Sequence, residues 1–398
     1  MNLFEYALGR LRAYIERERF KGYDPYDTLN AGVDFARLGK WSPVLAIQFQ
    51  KRNPVNIRPQ LGIEKGYNPK GMGLLLHAYT LLYEHNPNEK TKETAEFLFN
   101  WLRNNASEGY SGYCWGYNFD WASPVKYLKA YTPSIVVTSF VGRGIFRYYQ
   151  ATKDPKALNV LRSACDFVMK DLPRLETRDG VCISYTPVMQ DCCYNASMLG
   201  AELLSSVYAI TGEEMLRDLA AEAVRFTVAH QHRDGHWNYS LDLDSVTERK
   251  QIDFHQGFIL DSLHAYMQYT GANGTCREAL ERGARFYREE QFDKTGRAKW
   301  RLPKAWPADI HCQAQGIISF SKLAHLDDGY LPFARKIAIW TITHMQDQEG
   351  YFYYRKGRIL TNKIPYMRWA QAWMMVALAE LISRTVNEQV ERTAGTYA

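Results

Sequence analysis

The sequence predicts an all-α fold: a closed toroid of six helical hairpins, (α/α)6, with short β-like hairpins in the loops. Three observations predict it. A turn motif recurs along the chain, charged amphipathic helices alternate with apolar ones, and small residues concentrate on the apolar set.

The turn motif sets the period. Gln231-His232-Arg233-Asp234-Gly235-His236-Trp237 reads Q-x-x-D-G-x-W, and Gln346-Asp347-Gln348-Glu349-Gly350-Tyr351-Phe352 repeats it with Glu for Asp and Phe for Trp. Residues 105–109 and 176–180 are looser copies, and 291–296 is a fifth with one residue inserted. The glycines at 109, 180, 235, 296 and 350 lie 71, 55, 61 and 54 residues apart. Self-similarity at such a period means stacked supersecondary units. Each copy follows one helix-like stretch and precedes another, and a glycine after the last periodic residue supplies the left-handed position that ends a helix.

The helices fall into two sets by composition. Outer helices are read at 30–50, 89–105, 155–172, 213–231, 275–291 and 330–346, with apolar residues on one face. Inner helices are read at 69–84, 133–150, 194–211, 255–270, 311–325 and 366–384, rich in Gly, Ala, Ser, Leu and Met. Gly71, Gly73, Gly142, Gly144, Ala196, Ser197, Gly200 and Gly257 let inner helices approach closely. Residues 1–29 are expected as an N-terminal helix and arm packed on the toroid, and 30–398 as a single toroid domain. No linker or low-complexity tract interrupts that domain.

Composition narrows the partners. The net charge of +6 is spread along the chain, which argues against nucleic acid and for a solvated surface, with mild attraction to acidic glycans. Seven cysteines, an odd number without C-x-x-C spacing, fit reduced thiols in the cytoplasm. The first residues run into the charged Glu16-Arg17-Glu18-Arg19 rather than an apolar signal core, and no apolar stretch is long enough to span a membrane. No H-E-x-x-H, Walker or dinucleotide-binding glycine pattern occurs, so neither metal nor cofactor is expected. The histidines at 230, 232 and 236 are read as an incidental cluster at a hairpin end. The oligomeric state is left open.

Loops entering the inner helices open onto one end of a toroid, so chemistry is expected where those helices start. Asp253-Phe254-His255 and Asp309-Ile310-His311 share D-x-H at two such starts. Asp at that position is an ordinary cap, but two histidines facing one cavity suit a general acid–base pair. His255 and His311 are therefore the candidate proton carriers, with Arg368 to stabilise a carboxylate or developing oxyanion. Asp120, between Phe119 and Trp121, is expected to have a raised pKa and to pair with Asp191 or Glu64 if the reaction is glycoside hydrolysis. Candidate substrate-binding residues are Tyr67 and Lys70 at the first start, Tyr194 and Asn195 at the third, and Trp369 and Gln371 at the sixth. Trp115, Tyr117 and Trp121 of the long aromatic loop complete the set, because indole and phenol faces stack on sugar rings.

The segments Gly22-Tyr23-Asp24-Pro25-Tyr26-Asp27, Asn56-Ile57-Arg58-Pro59 with Asn68-Pro69-Lys70-Gly71, and Trp115-Gly116-Tyr117-Asn118-Phe119-Asp120-Trp121 resemble VpsJ-like bacterial polysaccharide biosynthesis proteins. The resemblance runs over most of the chain and implies a role in making or tailoring an exopolysaccharide or other surface glycan. The architecture is similar to six-hairpin glycosidases and to the N-acylglucosamine 2-epimerase group. Those epimerases use histidines on inner-helix ends, including the fourth and the sixth, where this chain has Arg368 and Trp369. The turn also resembles that of terpene cyclases, but their D-x-D-D motif is absent; Asp242-Leu243-Asp244 falls short of it.

The expected function is a metal-independent acid–base enzyme acting on sugar residues, either an epimerase or isomerase or a glycoside hydrolase or lyase. A non-catalytic glycan-binding or assembly protein is the alternative, and an isoprenoid-active toroid the third reading. The substrate in either of the first two is a sugar or glycan.

Overall fold

The computed structural model describes residues 2–124 and 126–396. Thirteen α-helices carry the described fold: α1 (Leu3–Arg17), α2 (Ser42–Arg52), α3 (Pro69–His85), α4 (Glu89–Asn104), α5 (Ile135–Thr152), α6 (Pro155–Lys170), α7 (Tyr194–Thr211), α8 (Glu214–Ala229), α9 (His255–Thr270), α10 (Thr275–Gln291), α11 (Ile310–Lys322), α12 (Tyr330–Met345) and α13 (Trp373–Thr396). Twelve of them alternate between an outer and an inner ring, as the repeat predicts. Inner α7 is buried without a break from Tyr194 to Val207, whereas outer α8 buries only Leu216, Leu219, Ala220, Ala223, Val224, Phe226 and Thr227, one face of its turns. The small residues do what their size permits: a Cβ on Gly144 of α5 would lie 2.3 Å from the Gly73 carbonyl of α3, closer than atoms tolerate.

Short antiparallel hairpins occupy the loops at the end where inner helices begin. They are β1 (Trp121–Ala122) with β2 (Tyr127–Leu128), β3 (Arg174–Thr177) with β4 (Gly180–Ile183), β6 (Ser240–Leu241) with β7 (Glu248–Arg249), and β9 (Arg355–Lys356) with β10 (Thr361–Asn362). Two inner helices are entered through strands of their own, β5 (Cys192–Cys193) beside β6 and β8 (Ala308–Asp309) beside β9.

The Q-x-x-D-G-x-W turn is a structural latch. Gln231 donates from Nε2 to the Gly235 carbonyl at 3.0 Å and to Ala279 of the next outer helix at 2.9 Å. Gly235 has φ +103°, and a Cβ there would lie 2.5 Å from the Arg282 carbonyl, so only glycine fits. The residue two positions on is held by the inner helix. Gln256 bonds the Trp237 backbone on both sides (2.9 and 2.6 Å), and Gln371 does the same to Phe352 (2.8 and 2.8 Å). Thr138, Ser197 and Gln313 accept the backbone N–H of Trp115, Ile183 and Ala298 in the same way. Five repeats thus satisfy an otherwise buried N–H by one side chain near the start of each inner helix.

The same latch closes the ring. Gln346 reaches its own Gly350 carbonyl and the Ala7 carbonyl of α1, both at 2.9 Å, and a Cβ on Gly350 would lie 2.3 Å from Arg10 O. α1 therefore stands to the last turn as α10 stands to the turn at Gly235, and it is the sixth outer helix rather than an appended arm. The outer helix expected at 30–50 is not formed. Residues 27–30 and 35–38 are short 3-10 turns, and α2 begins only at Ser42 with Pro43 in its first turn. Gly32 and Gly39, the latter at φ +109°, interrupt the helical pattern between them. The sixth inner helix also departs from regularity, opening with a π-helical stretch over residues 367–372.

Candidate functional site

The inner-helix starts converge around the ring axis, which is filled rather than open. Phe140 of α5, Phe258 of α9 and Trp373 of α13 meet there, with ring centroids 5.0, 5.0 and 5.5 Å apart. Lys70, in the first turn of α3, lays its Nζ over all three, at 4.1, 5.5 and 5.4 Å from the respective centroids. It is 3 % exposed and has no hydrogen-bond or ion-pair partner among the described residues. Burial, then the charges of Arg368 and Arg143, hold its pKa well below the lysine range.

One helical turn deeper, the axis is crossed by buried ion pairs. Arg143 makes a bidentate bridge to Glu202, whose Oε2 also accepts from Ser262 at 2.8 Å. Asp261 accepts from Ser319 at 2.7 Å and Gln315 at 3.0 Å and lies 3.7 Å from Lys322. His77 reaches Glu380 at 3.1 Å. These contacts tie each inner helix to a neighbour around the ring.

His311 lies beside the aromatic plug, 1 % exposed, and neither ring nitrogen has a partner among the described residues. Trp373, Trp369 and Phe254 surround it at 4.4, 4.7 and 4.1 Å between centroids. Burial, with Lys70, Arg368 and His255 adding like charge, holds its pKa well below the usual imidazole value, so it is neutral. His255 is different. Its side chain is 17 % exposed, and its Nδ1 lies 2.5 Å from Asp253 Oδ1. Burial raises the Asp253 carboxyl, but His255 and its hydrogen bonds outweigh that and leave it below the usual range. An ionised carboxylate only accepts, so Nδ1 carries a proton toward Asp253 and the ring is held in one orientation.

The repeated D-x-H is not in structural register. Counted from the latch glutamines, His311 corresponds to Phe254, and His255 lies one residue further along its helix. Phe254 stacks against both imidazoles, at 4.2 Å from His255 and 4.1 Å from His311. One phenyl face has room for one stacked imidazole, so the phenyl separates the two histidines.

Arg368 and Trp369 sit on the π-helical turn. Arg368 is 2 % exposed and is bound by both oxygens of Asp24, at 2.5 and 2.7 Å. Burial lowers its pKa, but Asp24 and neighbouring tyrosines raise it above the ordinary guanidinium value. Arg58 braces the same segment through Asp27 at 2.7 Å and the Asp24 carbonyl at 2.8 Å. The motif at residues 22–27 is thus the clamp on the sixth inner helix, and Arg368 comes to the site already paired. Trp369 donates its Nε1–H to Asp309 Oδ1 at 2.9 Å and packs on Tyr26 at 5.7 Å.

Around His255 and Arg368 stands an aromatic wall with its own periodicity. Two residues after each latched position comes an aromatic: Tyr117, Tyr185, Tyr239, Trp300 and Tyr354. Tyr117 lies 4.8 Å from the Arg368 guanidinium, Tyr239 4.9 Å from the His255 ring, and Tyr354 6.4 Å from Trp369. Trp300 takes the Arg355 guanidinium at 5.5 Å. Of these only Tyr117 was among the expected site residues. The spacing W-x-Y in two copies of the turn, with F-x-Y in a third, was the signal for the others, together with strand alternation that brings i and i+2 to one face.

Several expected site residues are elsewhere. Trp115 is fully buried and donates Nε1–H to Leu102 O at 3.0 Å, as Trp237 does to Thr227 O at 2.8 Å; it is a latch residue. Gln371 is the latch on Phe352, with both ends of its amide used. Tyr194 points outward to Phe226 and His230 of the outer layer and bonds Glu248 at 2.7 Å. Tyr67 packs on Trp101 of outer α4 at 5.3 Å, and Trp121 lies in the β1–β2 hairpin on the rim. Asn195 is 2 % exposed, in helical register with His311, and donates to Cys193 Sγ at 3.2 Å.

Asp120 does not have the raised pKa expected of it. Burial pushes up, but Tyr127 Oη–H at 2.5 Å, the Ala130 N–H at 2.7 Å and Lys129 at 3.2 Å outweigh it and leave the carboxyl below its usual range. Its proposed partners do not serve it either. Asp191 lies 3.3 Å from Lys126, and Glu64 is exposed. Asp24, Asp27 and Asp309 have cationic partners as well, Arg368, Arg58 and Arg355.

No family model and no curated protein sequence matches the chain. Solved structures do. Cellobiose 2-epimerase from Bacillus thermoamylovorans superposes with a TM-score of 0.64 at 13% identity, over 81% of this chain and 90% of that one. The GH76 α-mannanase from Bacteroides thetaiotaomicron gives 0.63 at 16%, over 80% and 88%. The Lin0763 protein from Listeria innocua gives 0.66 at 14%, over 97% and 99%. At these identities the likeness establishes the fold, an (α/α)6 toroid shared with sugar-processing enzymes. Among the described residues no helix is long and apolar enough to cross a membrane.

Proposed function

We propose that the chain is a carbohydrate-active enzyme that moves a proton at a sugar carbon, an epimerase or isomerase. The observation that carries this reading is the Asp253–His255 pair, an oriented imidazole beside an aromatic wall suited to stacking a sugar ring. His255 takes the proton from the carbon next to the carbonyl of an open-chain sugar; returned to the former carbonyl carbon it gives the isomer, and returned to the same carbon after the enediolate has turned its other face to the imidazole it gives the epimer. Lys70 and His311, buried below it and unpartnered among the described residues, supply hydrogen bonds to the sugar hydroxyls or to the developing enediolate oxygen. Arg368 acts through its position, bracing the sixth helix and Tyr117, because Asp24 already neutralises it.

Two further supports bear on the setting. The fold is shared with a sugar epimerase and a D-mannose isomerase. The resemblance of residues 22–27 and 115–121 to VpsJ-like proteins favours a residue of a bacterial exopolysaccharide or surface glycan as substrate. Seven free cysteines fit a cytoplasmic setting.

The test is turnover of a panel of aldoses, ketoses and glycan fragments, read by NMR and mass spectrometry, for the native protein and His255→Ala. An isomerised product that disappears with His255→Ala supports the proposal. Glycan binding without any product would instead mark a binding protein, and a hydrolysed product independent of His255 would mark a different chemistry.

A further inference from the structure

The segment that fails to form an outer helix carries an exposed apolar face. Trp41, Leu45 and Phe49 recur at i, i+4 and i+8 along α2 and are 55, 66 and 64 % exposed, while Pro43, Ile47 and Gln50 on the other side are buried. Leu38 and Val55 extend the face at 70 and 64 %. The tip of the β9–β10 hairpin adds Ile359 and Leu360, and the hairpin is tied to the end of α2 by Asn362 Nδ2 donating to Asn53 O at 3.0 Å. Isolated exposed apolar residues are ordinary, but a helical stripe of Trp, Leu and Phe is not.

The charge around this face has one sign. No Asp or Glu occurs from Phe35 to Ile63 or from Gly350 to Ala379, while Arg37, Lys40, Lys51, Arg52, Arg355, Lys356, Arg358 and Lys363 fall within those stretches. Lys40, Arg52, Arg358 and Lys363 are exposed. Only Asp34, at the edge, meets Arg37, at 3.2 Å. An apolar stripe with Trp and Phe, flanked mainly by cations, matches the physical demands of an interfacial helix on anionic lipid.

We propose that α2 and the 358–363 hairpin tip dock this protein on an anionic bilayer surface. Trp41, Leu45 and Phe49 seat at the boundary of head groups and acyl chains, and Lys40, Arg52, Arg358 and Lys363 meet the head-group phosphates. Lys51 of α2 donates to the Tyr26 hydroxyl, and Tyr26 packs on Trp369, so docking sets the Trp369 side of the site toward the membrane. The proposal does not depend on the reaction assigned to that site.

The experiment is flotation of the full chain with vesicles of phosphatidylcholine alone or mixed with phosphatidylglycerol, beside sedimentation velocity without lipid. The expected result is binding to the mixed vesicles only, weakened by salt, and reduced about tenfold or more in Leu45→Glu/Phe49→Glu. Both positions are exposed, so the double variant keeps the native Tm. Absence of binding to mixed vesicles at low salt overturns the proposal, as does binding that the double variant leaves unchanged. A lipid-independent dimer that the double variant dissociates overturns it too, and assigns the face to a second copy of the chain.

Discussion

Asp253 holds His255 twice, with Oδ1 accepting the backbone N–H at 3.2 Å and the ring Nδ1–H at 2.5 Å. The first bond satisfies the N–H of the first residue of α9, and the second fixes the orientation of the imidazole. One carboxylate therefore holds both the helix start and the ring that the proposal makes the base.

That double role makes Asp253→Asn informative. The amide keeps one oxygen for the His255 backbone and ring but loses the negative charge that supports an imidazolium, and it turns an N–H toward Gln251 Nε2, from which Oδ2 now accepts at 2.8 Å. Turnover is expected to fall about 100- to 10,000-fold with a small change in KM. Steady-state kinetics beside a thermal melt checks this; an unchanged kcat contradicts it.

Lys70 is the buried group with the poorest structural justification. An amine above three aromatic faces, without a carboxylate, costs the fold more than an apolar chain of similar length. Lys70→Met is expected to raise stability by about 1–3 kcal/mol while lowering turnover about 100-fold or more. A melt and a rate measurement on the same preparation separate the two effects, and a stability loss with full activity would show that Lys70 is structural.

Gln371 tests the reverse assignment. Gln371→Leu strands the Phe352 N–H and C=O inside the protein, at a cost of about 2–4 kcal/mol. KM for the substrate is expected to stay within about twofold, because the amide has no atom left for a ligand. A large rise in KM without loss of stability contradicts the latch.

The buried histidines set a pH dependence. Burial lowers the pKa of His77, of His311 and of His264, the last to about 3, from the ordinary 6.5. Between those folded values and 6.5 the unfolded chain binds more protons than the native one. Stability is therefore complete above 6.5 and is lost as pH falls below it. Tm is expected to drop steadily from about pH 7 to about pH 5, before most carboxylates titrate. A flat profile over that range would mean these imidazoles are solvated.

The ring was legible because its signals are local and repeated. Helical periodicity, turn glycines and small residues each report a short-range constraint, and five copies reinforce one another. The departures have long-range causes. Nothing near residues 3–17 announces that Ala7 and Arg10 receive the turn at Gly350, and Val33, Leu38, Trp41, Leu45 and Phe49 read as part of a helix's core face although the structure exposes them. The site was half legible. Lys70, His255, His311, Arg368 and Trp369 do gather at one end of the ring, since inner-helix starts must converge. Which residues of a start face the axis was not legible, because one residue of offset turns a helix by 100°. That offset put Gln371 in the latch and placed Phe254, not His255, in register with His311. The pairing of Arg368 with Asp24, 344 positions apart in sequence, had no local signature.

The most direct test of the central claim is incorporation of solvent deuterium into a sugar. The native protein, incubated in D2O with each candidate sugar and followed by NMR, is predicted to exchange the C–H next to the carbonyl, and His255→Ala to lose that exchange while still binding the sugar. Turnover of a sugar without any deuterium incorporation, or exchange that persists undiminished in His255→Ala, would contradict the account.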